Sequence, residues 1–355
     1  MSTRIASRCA VPAPECGIGQ TVRERNVPLL VVGTLSAIVG VLTGADLAVG
    51  SARVPGKVLR IGILTSAYIA WHNQTRGFRE GLTDLGYIDG QHVVFHVLTG
   101  RGDSARLPAL ADELVRGKPD LLYCVATPDA RACQKATTTV PIVFTQTGDP
   151  VKLGLVQSLA RPGGNVTGIG SLRGMLVAKR LELFKEVVPT LRRVLVTYDP
   201  REDEEAEAVR VAKEVAVSLG LTILERPITK PQELETGLDM LTAHGRDGIL
   251  IVQANPNLNI PGRSLEVAIS YGIPTMYTSA FWAEHGALAS YGANELRQGR
   301  QAARLAHDIL RGRSPAEIPV ELPTEIEFVV NLRTAERIGL KVPPAVLLRA
   351  TRVIQ

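Results

Sequence analysis

The sequence predicts an α/β protein of two similar lobes with parallel sheets, and three observations lead there. Continuous apolar runs alternate with helical patterns along most of the chain, the signature of parallel strand–helix–strand units. The order of runs then repeats. Residues 193–199 (RVLVTYD) follow residues 59–65 (LRIGILT) by 134 positions, 248–254 (GILIVQA) follow 120–126 by 128, and 273–277 (IPTMY) follow 140–144 (VPIVF) by 133. Finally, a strand-like run at 287–291, a long helix at 294–310 and another strand at 327–332 come after two complete sets. The chain therefore crosses back.

Each element has a local reason. Residues 59–65 form an apolar run ended by polar residues, as a strand covered on both faces requires. Over 74–85, Phe78, Leu82 and Leu85 fall at helical spacing and Gly86 closes the helix. A second strand covers 93–98. Ser104 caps a helix to 115 that turns Leu107, Leu110, Ala111 and Leu114 inward. A third strand covers 120–126, and Thr127-Pro128 starts a helix, with Thr as cap and Pro in the first turn. The fourth strand covers 142–147. A short amphipathic helix over 153–160, a break at Arg161-Pro162-Gly163-Gly164 and a β-like run over 165–169 then carry the chain out of the first lobe. In the second half, helices are expected over 175–187, 204–219 and 231–243, with strands at 193–199, 222–227 and 248–254.

Length and charge narrow the classes. At 355 residues the chain suits two domains of roughly 100–200 residues each. Residues 1–57 hold six basic and three acidic groups, which leaves 34 basic and 32 acidic groups in the remainder. That balance gives no support for a nucleic-acid partner. Arg23 and Arg25 precede an uncharged apolar run at 27–42, and Ala48, Gly50, Ser51 and Ala52 follow it. The pattern reads first as a cleaved export signal over 1–57, with an uncleaved anchor or a buried helix as alternatives. Beyond it only Cys124 and Cys133 remain, read as buried free thiols, with a disulfide as the alternative.

In open parallel sheets, ligands bind outside the carboxyl ends of the strands. Here those ends carry Ser66, Ala67 and Tyr68, then Thr127, then Thr147 and Asp149. In the second half they carry Tyr198 and Asp199, Asn255, and Ser279. Ser171 ends the stretch that leaves the first lobe, and Tyr291 ends the corresponding run in the second. Hydroxyls and free helix-end amides suit a carboxylate, Asp149 or Asp199 an ammonium, and Tyr68, Trp71, Phe281 or Trp282 an apolar body. The competing reading of each Ser, Thr or Asn is an ordinary helix cap. Gly164, Gly168 and Gly292 lie near the crossings and are candidate hinges.

Enzyme signatures are missing. Gly168-x-Gly170 followed by Gly174 has the wrong spacing for a dinucleotide loop, and no nucleophile elbow or phosphate-binding loop occurs. His92 and His96 stand four apart on a strand, about 13 Å, too far to share a metal. No catalytic residue, no cofactor and no metal are expected.

The stretches at 141–169 (PIVFTQTGDPVKLGLVQSLARPGGNVTGI), 179–200 (KRLELFKEVVPTLRRVLVTYDP) and 325–350 (EIEFVVNLRTAERIGLKVPPAVLLRA) resemble the ABC-transporter substrate-binding protein family. Residues 77–93 and 106–122 are similar to its first lobe. The resemblance covers about 58–355. It implies a type 1 periplasmic-binding-protein-like fold, with two Rossmann-like lobes joined by three crossings. Lobe 1 would be 58–169 plus 293–319, and lobe 2 would be 170–292 plus 320–355. It also implies one small organic solute in the interlobe cleft, an amino-acid-like one favoured since some members resemble tryptophan- and phenylalanine-binding proteins. The partners implied are an ABC permease with its ATPase, reached after export to the periplasm, with membrane contact only through the permease or an uncleaved signal. By position the pocket falls near Ser66, Thr127, Asp149, Asp199, Asn255 and Ser279. The chain departs from the family's usual Ser-Pro turn at Thr65-Ser66-Ala67-Tyr68, and from a common acidic residue at Asn255-Pro256-Asn257. A sensor module with the same fold is the alternative function. An enzyme lacks its motifs, and a DNA-binding regulator would need a helix-turn-helix where the apolar export segment stands.

Overall fold

Two sheets take up the described strands, and the chain passes between them three times. The computed structural model describes residues 57–67, 72–229, 233, 238, 241, 246–252 and 263–355. The segment read from the sequence as an export signal, apart from Lys57, lies outside them, as do most of the helix expected over 231–243 and the strand end at 253–254.

The first lobe contains β1 (Leu59–Thr65), α1 (Asn73–Asp84), β2 (Val93–Thr99), α2 (Leu107–Arg116), β3 (Leu121–Cys124), α3 (Thr127–Ala136), β4 (Ile142–Thr147) and β5 (Val166–Gly170). The second contains α4 (Val177–Val187), β6 (Arg193–Tyr198), α5 (Asp203–Ser218), β7 (Thr222–Pro227), β8 (Asp247–Ile251), α6 (Arg263–Ser270), β9 (Thr275–Tyr277), α7 (Ala280–Glu284) and β10 (Ala289–Ala293). Then α8 (Glu295–Leu310) returns to the first lobe. The chain goes back to form β11 (Ile326–Asn331), α9 (Leu332–Arg337), α10 (Pro344–Leu347) and β12 (Arg352–Ile354).

The sheet orders are β2-β1-β3-β4-β5 and β12-β11-β10-β9-β8-β6-β7. Within the second, β7-β6-β8-β9-β10 repeats the first sheet strand for strand, so RVLVTYD and LRIGILT take the same place. Every pairing in the first sheet is parallel. The second sheet is parallel too except where the chain returns, because β10 and β11 pair antiparallel. β10 runs toward the crossing into α8 and β11 runs away from the return crossing, so the two must point oppositely.

Alternation along each strand builds the first lobe's core. Ile61, Ile63, Tyr123 and Val143 face α1 and α8, whereas Leu64, Leu122, Cys124, Ile142 and Phe144 face α2 and α3. Both faces are covered, hence the near-continuous apolar strands. Helices α1 and α8 press together through glycine. A Cβ on Gly77 would lie 2.0 Å from the Leu296 carbonyl oxygen, and one on Gly299 would lie 2.1 Å from that of Gln74. The second lobe's core is larger, with Leu181, Phe184, Val194, Val196 and Leu250 among its fully buried members.

Residues 153–160 do not form the expected helix; they are turns and bends. Gly154 takes φ +70° and the Leu155 N–H returns to the Pro150 carbonyl, so the apolar spacing of Leu153, Leu155 and Val156 serves a turn packed on α2 and α3. Cys124 and Cys133 are both free and buried. Among the described residues no helix is long and apolar enough to cross a membrane.

Candidate ligand site

The strand ends of the first lobe hold their polar residues in local work. Ser66 is buried, and the Ala67 N–H donates to Thr65 Oγ1 at 3.1 Å. Thr127 opens α3 and its hydroxyl receives the Gly148 N–H at 3.3 Å. Asp129, two residues on, is fully buried and accepts the Ala126 N–H at 3.1 Å. Burial pushes its carboxyl up to about 7, against the opposing pull of nearby Ser66, Ala126 and Val125. Thr147 is fully buried with an unpartnered hydroxyl. Asp149, the expected ammonium acceptor, is exposed; its Oδ1 caps the following turn by accepting the Val151 and Lys152 N–H groups at 3.0 and 3.1 Å.

The second lobe diverts its candidates likewise. Asp199 is buried, but Arg201 grips its carboxylate from Nε at 2.8 Å and Nη2 at 2.5 Å and holds it below the usual carboxylate range. The Tyr198 ring packs on the lobe's core. The Tyr291 ring meets Phe328 edge-on at 6.3 Å, and its carbonyl accepts from Arg180 Nε. Tyr68, Trp71 and Asn255 lie outside the described residues.

The structure brings together a group that the sequence reading missed. Where the crossings after β5 and β10 run side by side, a cavity of about 30 Å³ is lined by Gln146, Ser171, Arg173, Arg180, Ser279 and Glu295 among others. Of the expected residues that are described, only Ser171, Ser279 and Gly292 line it. Glu295 opens α8 and is half-buried as a residue, but its carboxyl is desolvated, which raises its pKa. Ser279, Gln146, Arg173 and Gln74 lie near it and offset part of that rise. Gln146 Nε2 reaches Glu295 Oε1 at 3.3 Å while its Oε1 accepts from Arg173 Nη2 at 3.0 Å. Its backbone is left-handed, φ +51°, at an irregularity in the β4–β5 register. Gln74 is fixed in turn by the Nδ1–H of His72 at 2.8 Å, and burial lowers His72 to about 4, so that ring is neutral.

Arg180 faces Glu295's pocket from α4. It is fully buried, and burial with the nearby Arg173 lowers its pKa to about 9. Its Nε donates to the Tyr291 carbonyl at 3.0 Å, Nη2 reaches the Arg173 carbonyl at 3.5 Å, and Nη1 has no partner. One sequence signal pointed to it. Val177, Arg180, Leu181 and Phe184 form the buried stripe of α4, and an arginine on such a stripe is out of place.

The candidate hinge glycines divide. Gly164 has nothing within 4 Å of a Cβ. Gly168 and Gly292 lie inside paired strands, where a Cβ would sit 2.2 Å from the Phe144 carbonyl oxygen and 1.8 Å from that of Thr278. Close backbone approach is reason enough for both.

At the outer edge the lobes touch. A Cβ on Gly148 would lie 2.5 Å from Glu204 Oε2 of α5. Burial and Asp199 raise Glu202, which Arg131 of α3 opposes. Arg210, with a smaller share from Lys152, lowers Glu207. The first lobe thus presents cations here and the second anions.

Known proteins share this architecture. The family model for ABC transporter substrate binding proteins matches residues 68–354. A tyrosine-binding protein of Clostridioides difficile (strain R20291) is 30% identical over 268 residues, covering 75% of this chain and 76% of that protein. The crystal structure of a conserved domain protein from Vibrio cholerae superposes with a TM-score of 0.74 at 30% identity, over 84% of this chain and 100% of that one. The domain from Streptococcus pneumonia in complex with L-Trp gives a TM-score of 0.72 at 26% identity with the same coverage. With two lobes, three crossings and a polar pocket beside the crossings, the chain belongs to the ABC transporter substrate-binding protein family.

Proposed function

We propose that this protein is the exported solute-binding subunit of an ABC importer, and that it captures an amino acid between its lobes for delivery to a permease. One observation supports the solute class above the rest. The cleft's inner pocket carries one acidic side chain, Glu295, and two basic ones, Arg173 and Arg180; Arg173 donates to Gln146, while among the described residues neither Glu295 nor Arg180 forms an ion pair. A free amino acid carries both complementary charges. The named relatives, one tyrosine-binding and one holding L-Trp, point the same way. Two lobes on three extended connections close as a hinge, and a solute touching both lobes favours the closed form by its differential contacts. The apolar run at 27–42 behind Arg23 and Arg25 supports export.

The test has two parts. A thermal-shift screen of the mature chain against the twenty L-amino acids and a panel of sugars should single out one or a few amino acids. Uptake of the same amino acid should then fall in cells lacking this chain. Binding without any change in uptake favours a sensor role, and turnover of the bound compound contradicts the reading.

A further inference from the structure

We propose that the pocket beside the crossings is the head-group site for an α-amino acid, with Glu295 accepting the ammonium and Arg180 donating to the carboxylate. The proposal rests on the amino-acid reading and assigns its charges.

Four observations carry it. First, the carboxylates named from the sequence are committed elsewhere. Asp149 is exposed and caps a turn, and Asp199 is held by Arg201. Glu295 is the carboxylate that lines the pocket. Second, its hydrogen bonding leaves room for one more donor. A carboxylate offers about four acceptor positions. Gln146 fills one of them at 3.3 Å, and Ser279, Gln74 and the Arg173 guanidinium stand close enough to favour the charged form without an ion pair. Third, Arg180 is fully buried and its Nη1 points no hydrogen bond at any described group. A guanidinium edge that is short of an acceptor suits a carboxylate, and such charge-assisted bonds are the strong ones. Fourth, the two residues belong to different bodies. Arg180 sits on α4 of the second lobe, while Glu295 begins the helix that packs on α1 of the first.

The dimensions fit a head group that enters on opening. The cavity of about 30 Å³ has space for one or two waters, enough for a carboxylate group but not for a whole amino acid. The solute therefore enters with the lobes apart, and closure brings Arg180 and Glu295 onto its two charges. The side chain then extends outward between the strand ends.

The experiment is isothermal titration of the mature chain with L-tryptophan and L-tyrosine, beside analogues lacking one charge. For tryptophan these are tryptamine, without the carboxylate, and 3-indolepropionate, without the amine. Wild type should bind the amino acid and bind each analogue at least 30-fold more weakly, because each leaves one enclosed charge unpaired. In Glu295→Gln the preference for L-tryptophan over 3-indolepropionate should collapse, while Arg180→Lys should narrow the preference over tryptamine. The analogue series needs no variant, so it decides even where an Arg180 substitution fails to fold. A wild type that binds the analogues as well as the amino acid overturns the proposal. So does a folded Glu295→Gln that keeps wild-type discrimination while binding the amino acid. In both cases the amino-acid reading itself survives. A wild type that binds none of the twenty amino acids ends both.

Discussion

Gln146 and Glu295 meet at 3.3 Å, and the contact joins the end of β4 to the start of α8 across almost half the chain. The backbone that makes it possible is strained, since Gln146 is one of three non-glycine residues at positive φ among those described. Gln146→Gly and Gln146→Ala both delete the side-chain bonds to Glu295 and Arg173, but only glycine relaxes the backbone. Urea unfolding should find Gln146→Gly more stable than Gln146→Ala by about 1–2 kcal/mol. Equal stabilities would show that the left-handed backbone stores no strain.

Asp129 gives the chain a pH signature. Its folded pKa is about 7, above the ordinary carboxyl value near 3.8. The unfolded chain loses this proton first as pH rises, so this group's effect on stability becomes unfavourable from about pH 4 and levels off above about pH 7. Asp129→Asn should therefore gain on wild type in Tm across that window, with a constant difference above it. A difference that is independent of pH would remove Asp129 as a buried titrating group.

The glycine contact between α1 and α8 fixes the floor on which Glu295 stands. Gly299→Ala places a methyl 2.1 Å from a backbone oxygen, so the helices must separate. The expected loss is about 1–3 kcal/mol by denaturant unfolding, with weaker amino-acid binding as Glu295 shifts. Gly164→Ala, with open space around it, serves as the control and should be neutral or mildly stabilising.

Charges at the cleft's outer edge should make closure sensitive to salt. Arg131 and Lys152 face Glu202 and Glu207 across it. Raising salt from 0.1 M to 1 M shortens the screening length from about 10 Å to about 3 Å, so solute affinity should fall. In the double variant Glu202→Lys/Glu207→Lys the lobes repel, affinity at low salt should drop, and added salt should restore it. An unchanged salt trend would place these charges outside the closing surface.

Much of the fold was legible because it is written locally. LRIGILT and RVLVTYD are each covered on both faces, and their matched positions in the two sheets follow from near-constant spacing. The short helix placed over 153–160 failed because apolar spacing alone does not show that Gly154 turns left-handed. The antiparallel β11 depends on where the chain re-enters, which no local pattern encodes. The pocket was illegible for the same reason. Gln146, Arg173, Arg180 and Glu295 come from a strand end, a crossing, a helix stripe and a helix start, and only the crossings assemble them. Ser171 and Ser279, both named from the sequence, line that pocket; they follow strand ends, where a general rule about parallel sheets applies.

The most direct measurement is calorimetric titration of the purified protein with each of the twenty L-amino acids. Saturable binding of at least one is expected, at one site per chain, with discrimination against its amine-less and carboxylate-less analogues. Absence of heat and of any thermal shift with all twenty, in a folded preparation, would contradict it.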